Sequence, residues 1–291
     1  MSGAEAITPV LDLGGPAQPL LEIRHLIKHF PIKGGLLGRT VATVNAVDGI
    51  SFEVAKGETL GIVGESGCGK STLARAVLRL APKTAGTVVL CGRNIGEEPE
   101  HEIRGLRKEF QIVFQDPLAS LDPRMTIGQS IAEPLRNLEP DLAGADVDAR
   151  VRAIMEKVGL DPDWRNRYPH EFSGGQNQRV GIARAMILRP QMIVCDEAVS
   201  ALDVSIQAQI IDLILALQKE FGMSLIFISH DLSVVRQVSH RVMVLYLGRV
   251  VELADRDSIY KDARHPYTKA LIAAVPVPDP KIERNKAKAR L

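Results

Sequence analysis

The chain is poor in cysteine, in net charge and in long apolar runs, and each shortage removes a class of protein. It has three cysteines, Cys68, Cys91 and Cys195, and none sits in a C-x-x-C pair. An odd, scattered set supports neither a disulfide framework nor a zinc site, and it fits a reducing compartment. The 36 Lys and Arg residues are offset by 35 Asp and Glu, leaving a net charge of +1. That balance argues against a nucleic-acid coat or a generic basic membrane binder, so no nucleic-acid partner is expected. No apolar stretch approaches the roughly 18 residues of a membrane span. No basic region followed by an apolar run opens the sequence, so a signal peptide is not expected. The length of 291 residues allows a large core.

What is present begins at Gly64-Glu65-Ser66-Gly67-Cys68-Gly69-Lys70-Ser71-Thr72. This fits G-x-x-x-x-G-K-[ST], a P-loop. Its glycines let backbone N–H groups close around phosphate oxygens, Lys70 reaches the outer phosphates, and the Ser71 hydroxyl is placed for Mg²⁺. The context agrees. Residues 58–63 read as a buried strand entering the loop, and Ser71 to Leu80 as a helix leaving it, with the positive end of its dipole under the phosphates. Such a loop predicts nucleoside triphosphate binding and no more.

Other polar groups stand where apolar runs stop. Met192-Ile193-Val194-Cys195 reads as a buried strand ending in Asp196 and Glu197. Strand carboxyl ends are where α/β sheets place ligand groups. Asp196 suits a Mg²⁺ position, and Glu197 suits a general base for an attacking water. Gln115 follows Gln111 to Phe114, His230 follows the run 224–228, and Asp203 lies just past the carboxylates. Taken singly, such residues are more often loop groups bonded to backbone. Beside a phosphoryl-transfer site, a His can contact the γ-phosphate and a Gln can complete metal or water coordination. About a hundred residues after the loop, Phe172-Ser173-Gly174-Gly175-Gln176 opens a further helical run. Ser173 reads as its N-cap, and the exposed amides of the glycines make a second anion site. Two such sites in one chain make sense if each nucleotide is sandwiched between two chains.

In this order, GESGCGKST, Gln115, FSGGQ, IVCDE, SALD and His230 resemble the ATP-binding subunit of ABC transporters, over about residues 21–280. The resemblance implies an α/β fold: a P-loop NTPase core with a mostly parallel sheet, an N-terminal antiparallel β-subdomain and an inserted helical subdomain. It implies ATP and Mg²⁺ as ligands, with Ser71, Gln115 and Asp196 about the metal. It also implies a head-to-tail dimer in which Ser173, Gly174, Gly175 and Gln176, with Asp203 nearby, meet the ATP held by the opposite loop. Glu197 would be the catalytic base, His230 the γ-phosphate switch, Gln115 the link to the membrane subunits, and Phe30 the ring stacked on adenine. The stretches YPHEFSGGQ, DEAVSALDVSIQAQI and HPYTKALIAAVPVPDP look like the second ATPase subunit of oligopeptide and dipeptide importers. Nickel, glutathione and opine uptake are the alternatives in that branch. The implied partners are two integral-membrane permeases, a paralogous ATPase subunit in preference to a second copy, and indirectly an extracytoplasmic substrate-binding protein. The implied place is peripheral, on the cytoplasmic face of the inner membrane. Two positions depart from the family pattern, Ala198 where Pro is usual and Asn177 after SGGQ. A cysteine-rich tail found in some relatives is absent, so no iron–sulfur cluster is expected.

The remaining sequence sets the expected layout. Residues 1–20 read as a flexible arm, 21–275 as the ATP-binding domain, and 276–291 as a tail with five basic residues and one acidic one in 281–291. Residues 33–39 read as a loop insertion, and about 116–174 as the helical subdomain. Leu118 and Leu121 are its expected apolar anchors for a permease helix. Competing classes fit less well. A DNA-repair ATPase of this type would carry a long coiled coil between loop and SGGQ, a ribosome-acting one would carry two cassettes, and a GTPase motif fails at Lys288.

Overall fold

Three strands are buried along their whole length: Thr59–Val63, Met192–Asp196 and Ser224–Ile228. Continuous apolar runs of this kind belong to a parallel sheet covered on both faces, and that is what they form. The computed structural model describes residues 19–34 and 39–274. In chain order its elements are β1 (Leu21–Gly34), β2 (Arg39–Val54), β3 (Thr59–Val63), α1 (Lys70–Val77), β4 (Ala85–Leu90), β5 (Arg93–Asn94), α2 (Glu100–Leu106), β6 (Phe110–Val113), α3 (Pro117–Ser120), α4 (Ile127–Leu138) and α5 (Gly144–Lys157). After two short 3₁₀ turns come α6 (Gly174–Met186), β7 (Met192–Asp196), α7 (Val204–Phe221), β8 (Ser224–Ile228), α8 (Leu232–Val238), β9 (Arg241–Tyr246), β10 (Arg249–Asp255), α9 (Arg256–Lys261) and α10 (Pro266–Ala274).

Two sheets result, one of order β2-β1-β4-β5 and one of order β10-β9-β3-β8-β7-β6. The first is antiparallel. In the second, β9, β3, β8, β7 and β6 run parallel, and only β10 is antiparallel, on the edge. The carboxyl ends of β3, β7 and β8 therefore lie side by side, with Asp196 opposite Ile228. One apolar cluster joins this sheet to the helical segment between β6 and β7, and a second joins both sheets around α1.

Some bounds differ locally from the expected ones. Leu20 is buried and its carbonyl accepts the Cys91 N–H at 2.7 Å, so the β-subdomain starts before the expected end of the arm. The rest of that arm, residues 1–18, and the tail from 275 lie outside the described residues. Residues 33, 34 and 39 of the expected loop insertion are strand, because the β1–β2 ladder continues to Gly34↔Arg39; 35–38 lie outside the described residues. In the helical segment a capping box opens α4: Thr126 Oγ1 accepts the Gln129 N–H, and Gln129 Oε1 accepts that of Thr126. Asn177 has a structural task. Its buried amide donates to the carbonyls of Pro169 (3.0 Å) and Phe172 (3.2 Å), tying the turn before SGGQ to α6.

One expectation fails. Leu121 is 5 % exposed and belongs to the main core, whereas Leu118 is 51 % exposed. A four-residue helix has no periodicity from which to read its buried face, so only Leu118 remains available to a partner. Leu121→Ala should cost about 2–4 kcal/mol of stability and Leu118→Ala less than about 0.5 kcal/mol, as measured by denaturant unfolding. Equal losses would contradict this assignment of faces.

Candidate functional site

The loop between β3 and α1 is shaped by contacts that leave no room for side chains at two of its glycines. Gly64 has φ 155°, and a Cβ there would meet the Leu245 carbonyl oxygen at 2.3 Å. Gly69 has φ 108°, and its Cβ would meet the Ala46 carbonyl oxygen at 2.0 Å. Backbone from β2 and β9 thus presses directly on the loop, which only glycine permits. The Gly248 N–H adds a hydrogen bond to the Cys68 carbonyl at 2.9 Å. Between these fixed ends Glu65, Ser66 and Gly67 are exposed. α1 starts at Lys70 with no side-chain cap, so its first amides, including those of Ser71 and Thr72, face the loop's hollow.

Lys70 is 4 % exposed. Its ammonium donates to the carbonyls of Gly64 (2.8 Å) and Glu65 (3.0 Å) and lies 3.8 Å from Glu197 Oε1. Ser71 Oγ donates to Asp196 Oδ1 at 2.8 Å. The hydroxyl from the loop and the carboxylate from β7 thus stand together. That pairing of hard oxygen donors fits an octahedral Mg²⁺ that also takes phosphate oxygens and water. Burial pushes the Asp196 carboxyl above the ordinary range, the Glu197 charge pushes the same way, and the Ser71 hydrogen bond opposes both. Burial also raises the Cys68 thiol, and it takes Cys195 to about 12, so neither is a reactive thiolate.

Glu197 follows Asp196 with a left-handed backbone, φ 51°. Its N–H donates to the Ile228 carbonyl at 3.0 Å, which extends the β7–β8 pairing by one residue before the chain turns. The side chain is thrown back over the loop, with Oε1 toward Lys70 and Oε2 3.4 Å from Nδ1 of His230. A strained non-glycine residue at a strand end is a common mark of a functional site. Ala198, where the family usually has Pro, is buried and leaves both carboxylates in place.

The other expected residues are placed around this centre. Gln115 is exposed two residues past the β6 strand end. His230 is 57 % exposed in its side chain. Phe30 is 42 % exposed, with the Lys28 ammonium 4.6 Å above its ring. It pairs with Val44, two residues from the Ala46 carbonyl that touches Gly69, so the ring stands on a hairpin built against the loop. Ser173 caps α6 as its sequence implied: its Oγ accepts the Gln176 N–H at 3.3 Å and Gln176 Oε1 accepts the Ser173 N–H at 2.9 Å. Ser173 and Gly174 are exposed, as is Asp203 at the start of α7. Among the described residues no hydrogen bond or ion pair joins Ser173, Gly174, Gly175, Gln176 or Asp203 to the loop of the same chain. Sequence reasoning missed two contributors. The Ala46 and Leu245 carbonyls shape the loop through backbone alone, and Tyr267, whose hydroxyl accepts the Glu65 N–H at 3.0 Å, lies 202 positions away.

The chain is similar to known proteins in sequence and in fold. The ABC transporter family profile matches residues 47–200, and that of the oligopeptide/dipeptide transporter C-terminal region matches 251–290. The chain is 56 % identical to the oligopeptide transport ATP-binding protein OppF of Haemophilus influenzae, over 92 % of this chain and 81 % of that protein. It is 58 % identical to OppF of Salmonella typhimurium, over 92 % and 80 %. It is 52 % identical to the glutathione import ATP-binding protein GsiA of Escherichia coli, covering 43 % of that longer protein. The solved dimer of the ATP-binding cassette MJ0796 in a post-hydrolysis state with ADP and Pi superposes with a TM-score of 0.72 at 26 % identity, over 81 % of this chain and 98 % of that one.

The raised Asp196 carboxyl has a consequence for stability. A group whose folded value lies above its unfolded one stabilises fully below the unfolded value and loses that contribution as pH rises through the folded value. Ionised Asp196 therefore costs stability at neutral pH. Asp196→Asn, which keeps an oxygen for Ser71, should melt higher than the parent at pH 7.5 without nucleotide, and the gap should close as pH falls toward about 4. Melting curves across that range check it, and a gap that widens on acidification would contradict it.

Proposed function

The chain belongs to the ABC transporter family, and on that footing we propose that it is the ATP-hydrolysing subunit of an importer for oligopeptides. The observation that carries the reading is the convergence of Lys70, Ser71, Asp196, Glu197 and His230 at the carboxyl ends of three adjacent strands. Lys70 would exchange the Gly64 and Glu65 carbonyls for the outer phosphates of ATP. Ser71 and Asp196, with Gln115, would hold Mg²⁺, whose charge would neutralise that developing on the phosphate oxygens. Glu197 is aimed by its left-handed backbone at the space above the loop, where it takes a proton from the attacking water. His230, within reach of Glu197, orients that carboxylate and faces the γ-phosphate. Phe30 offers its exposed face to adenine.

The C-terminal region and the OppF relatives favour oligopeptides over glutathione, whose relative is less similar. The second anion site is what demands a partner. Gly174 and Gly175, behind the Ser173 cap, present free helix-start amides to the outside, away from the chain's own loop. We assign them to a nucleotide bound by an opposing subunit, a paralogue in preference to a second copy. No helix among the described residues is long and apolar enough to cross a membrane. We assign the transport path to separate permeases, on the likeness to the transport ATP-binding relatives. Two adjoining hollows, of about 130 and 920 Å³, share Gln111, Pro134 and Arg184, beside the segment that follows Gln115. A permease helix seated there would sense Gln115 directly.

Two outcomes are expected. Glu197→Gln should keep MgATP binding, lose hydrolysis by at least ~10²-fold, and accumulate an ATP-bound dimer on size exclusion; normal turnover would reduce Glu197 to a strand-end carboxylate. Leu118→Asp should leave basal ATPase activity of the isolated subunit intact but remove permease co-purification and uptake. Normal uptake would place the docking surface elsewhere than α3.

A further inference from the structure

Tyr267 comes from the C-terminal region, far in sequence from the loop, and its hydroxyl oxygen accepts the Glu65 N–H at 3.0 Å. Glu65 is held on its other side too. Its carbonyl accepts from Lys70 Nζ at 3.0 Å and from the Cys68 N–H at 3.3 Å. The phenol is itself fixed in place. Its ring lies 4.4 Å from that of Tyr246, tilted by 42°. Its backbone N–H donates to His265 Nδ1 at 3.2 Å. The chain entering α10 is pinned by the Glu252 carboxylate, which accepts the N–H groups of Arg264 (2.8 Å) and His265 (3.1 Å). Within α10 only Thr268 is fully buried, and Tyr267, Leu271 and Ile272 pack half-buried against the main core, which seats the helix beside the loop.

We propose that Tyr267 is a positioning residue for nucleotide binding, holding the Glu65 peptide so that the loop keeps its shape when Lys70 leaves the loop carbonyls for phosphate. The inference rests on the reading of Gly64 to Thr72 as the nucleotide loop. Without a ligand, Lys70 restrains Glu65 through its carbonyl. Once the ammonium turns to the phosphates, the Tyr267 hydroxyl is the remaining side-chain hold on that residue. A loop allowed to relax binds ground state and transition state equally less well, so the loss falls on affinity and not on the chemical step.

The test is Tyr267→Phe in the full chain. It keeps the ring pair with Tyr246 and removes only the acceptor. The Kd for MgATP and for MgADP, from titration with a fluorescent nucleotide analogue, should rise roughly three- to tenfold, the scale of one hydrogen bond. Turnover at saturating ATP should stay within about twofold, and nucleotide-free melting should be nearly unchanged. Tyr246→Leu, which keeps the hydroxyl but removes the ring support, should raise Kd by less. An unchanged Kd in Tyr267→Phe, a fall in turnover without loss of affinity, a large drop in nucleotide-free melting, or an equal effect of Tyr246→Leu would each overturn the proposal. Lys70→Ala separates this from the underlying reading. If it binds MgATP like the parent, the loop assignment fails; if it loses binding while Tyr267→Phe matches the parent, only the role of Tyr267 fails.

Discussion

The buried Lys70 ammonium is the interaction on which the rest of the site depends. A cation removed from water costs several kcal/mol unless it is paired and hydrogen-bonded. Here the Gly64 and Glu65 carbonyls and the Glu197 carboxylate do that work. For those groups to converge, the loop must fold back on itself, β7 must end level with β3, and Glu197 must leave the sheet in a left-handed turn. The alignment of the parallel strands supplies the second condition and the β8 carbonyl of Ile228 anchors the third. The same ammonium is what the phosphates of ATP would recruit. Its present partners are neutral carbonyls and a carboxylate at 3.8 Å, weaker competitors than a phosphate chain.

That economy has a cost in stability at neighbouring positions. Asp196 is ionisable, buried and close to a second carboxylate, and its carboxyl is pushed up accordingly. Glu197 adopts a backbone conformation that non-glycine residues seldom occupy. Gln178, buried beside the 130 Å³ hollow, has no hydrogen-bond partner for either amide atom among the described residues. All three lie where a metal, a reacting water or a partner helix would make up what the isolated chain lacks. A sequence optimised for stability alone would not keep them.

Much of this was legible in the sequence because it is written in local patterns. Apolar runs that end in Asp196, Glu197, Gln115 and His230 mark strand ends, and Ser173 three residues before Gln176 marks a capped helix start. Each of those signals is enforced within a few residues by backbone chemistry, so tertiary context had little to override. What was not legible depends on contacts between distant segments. Leu118, in a four-residue helix, and Leu121, just past its end, look alike in the sequence, and only the surrounding core separates them. Asn177 looked like an unexplained departure, yet its amide is an internal staple. Leu20 looked like part of an arm because its backbone hydrogen-bond partner, Cys91, lies some seventy positions away. Tyr267 carried no local sign at all.

On the reading proposed above, the structure of one chain also gives a reason for a second subunit. The loop offers its phosphate cradle on an exposed rim, Glu65 to Gly67. The capped start of α6 offers the free amides of Gly174 and Gly175. A nucleotide bound on the loop alone would keep one flank in water, where phosphate charge is already well solvated and Glu197 has no reason to meet a single ordered water molecule. Closing a second subunit over it would replace that water with fixed helix-start amides, which need no reorganisation as charge develops. Hydrolysis then becomes tied to association, and association to whatever a membrane partner does to the helical segment between Gln115 and Ser173. On that reading the half-built site on each chain would be the coupling device: it would let ATP be held by one subunit and hydrolysed only when two are brought together.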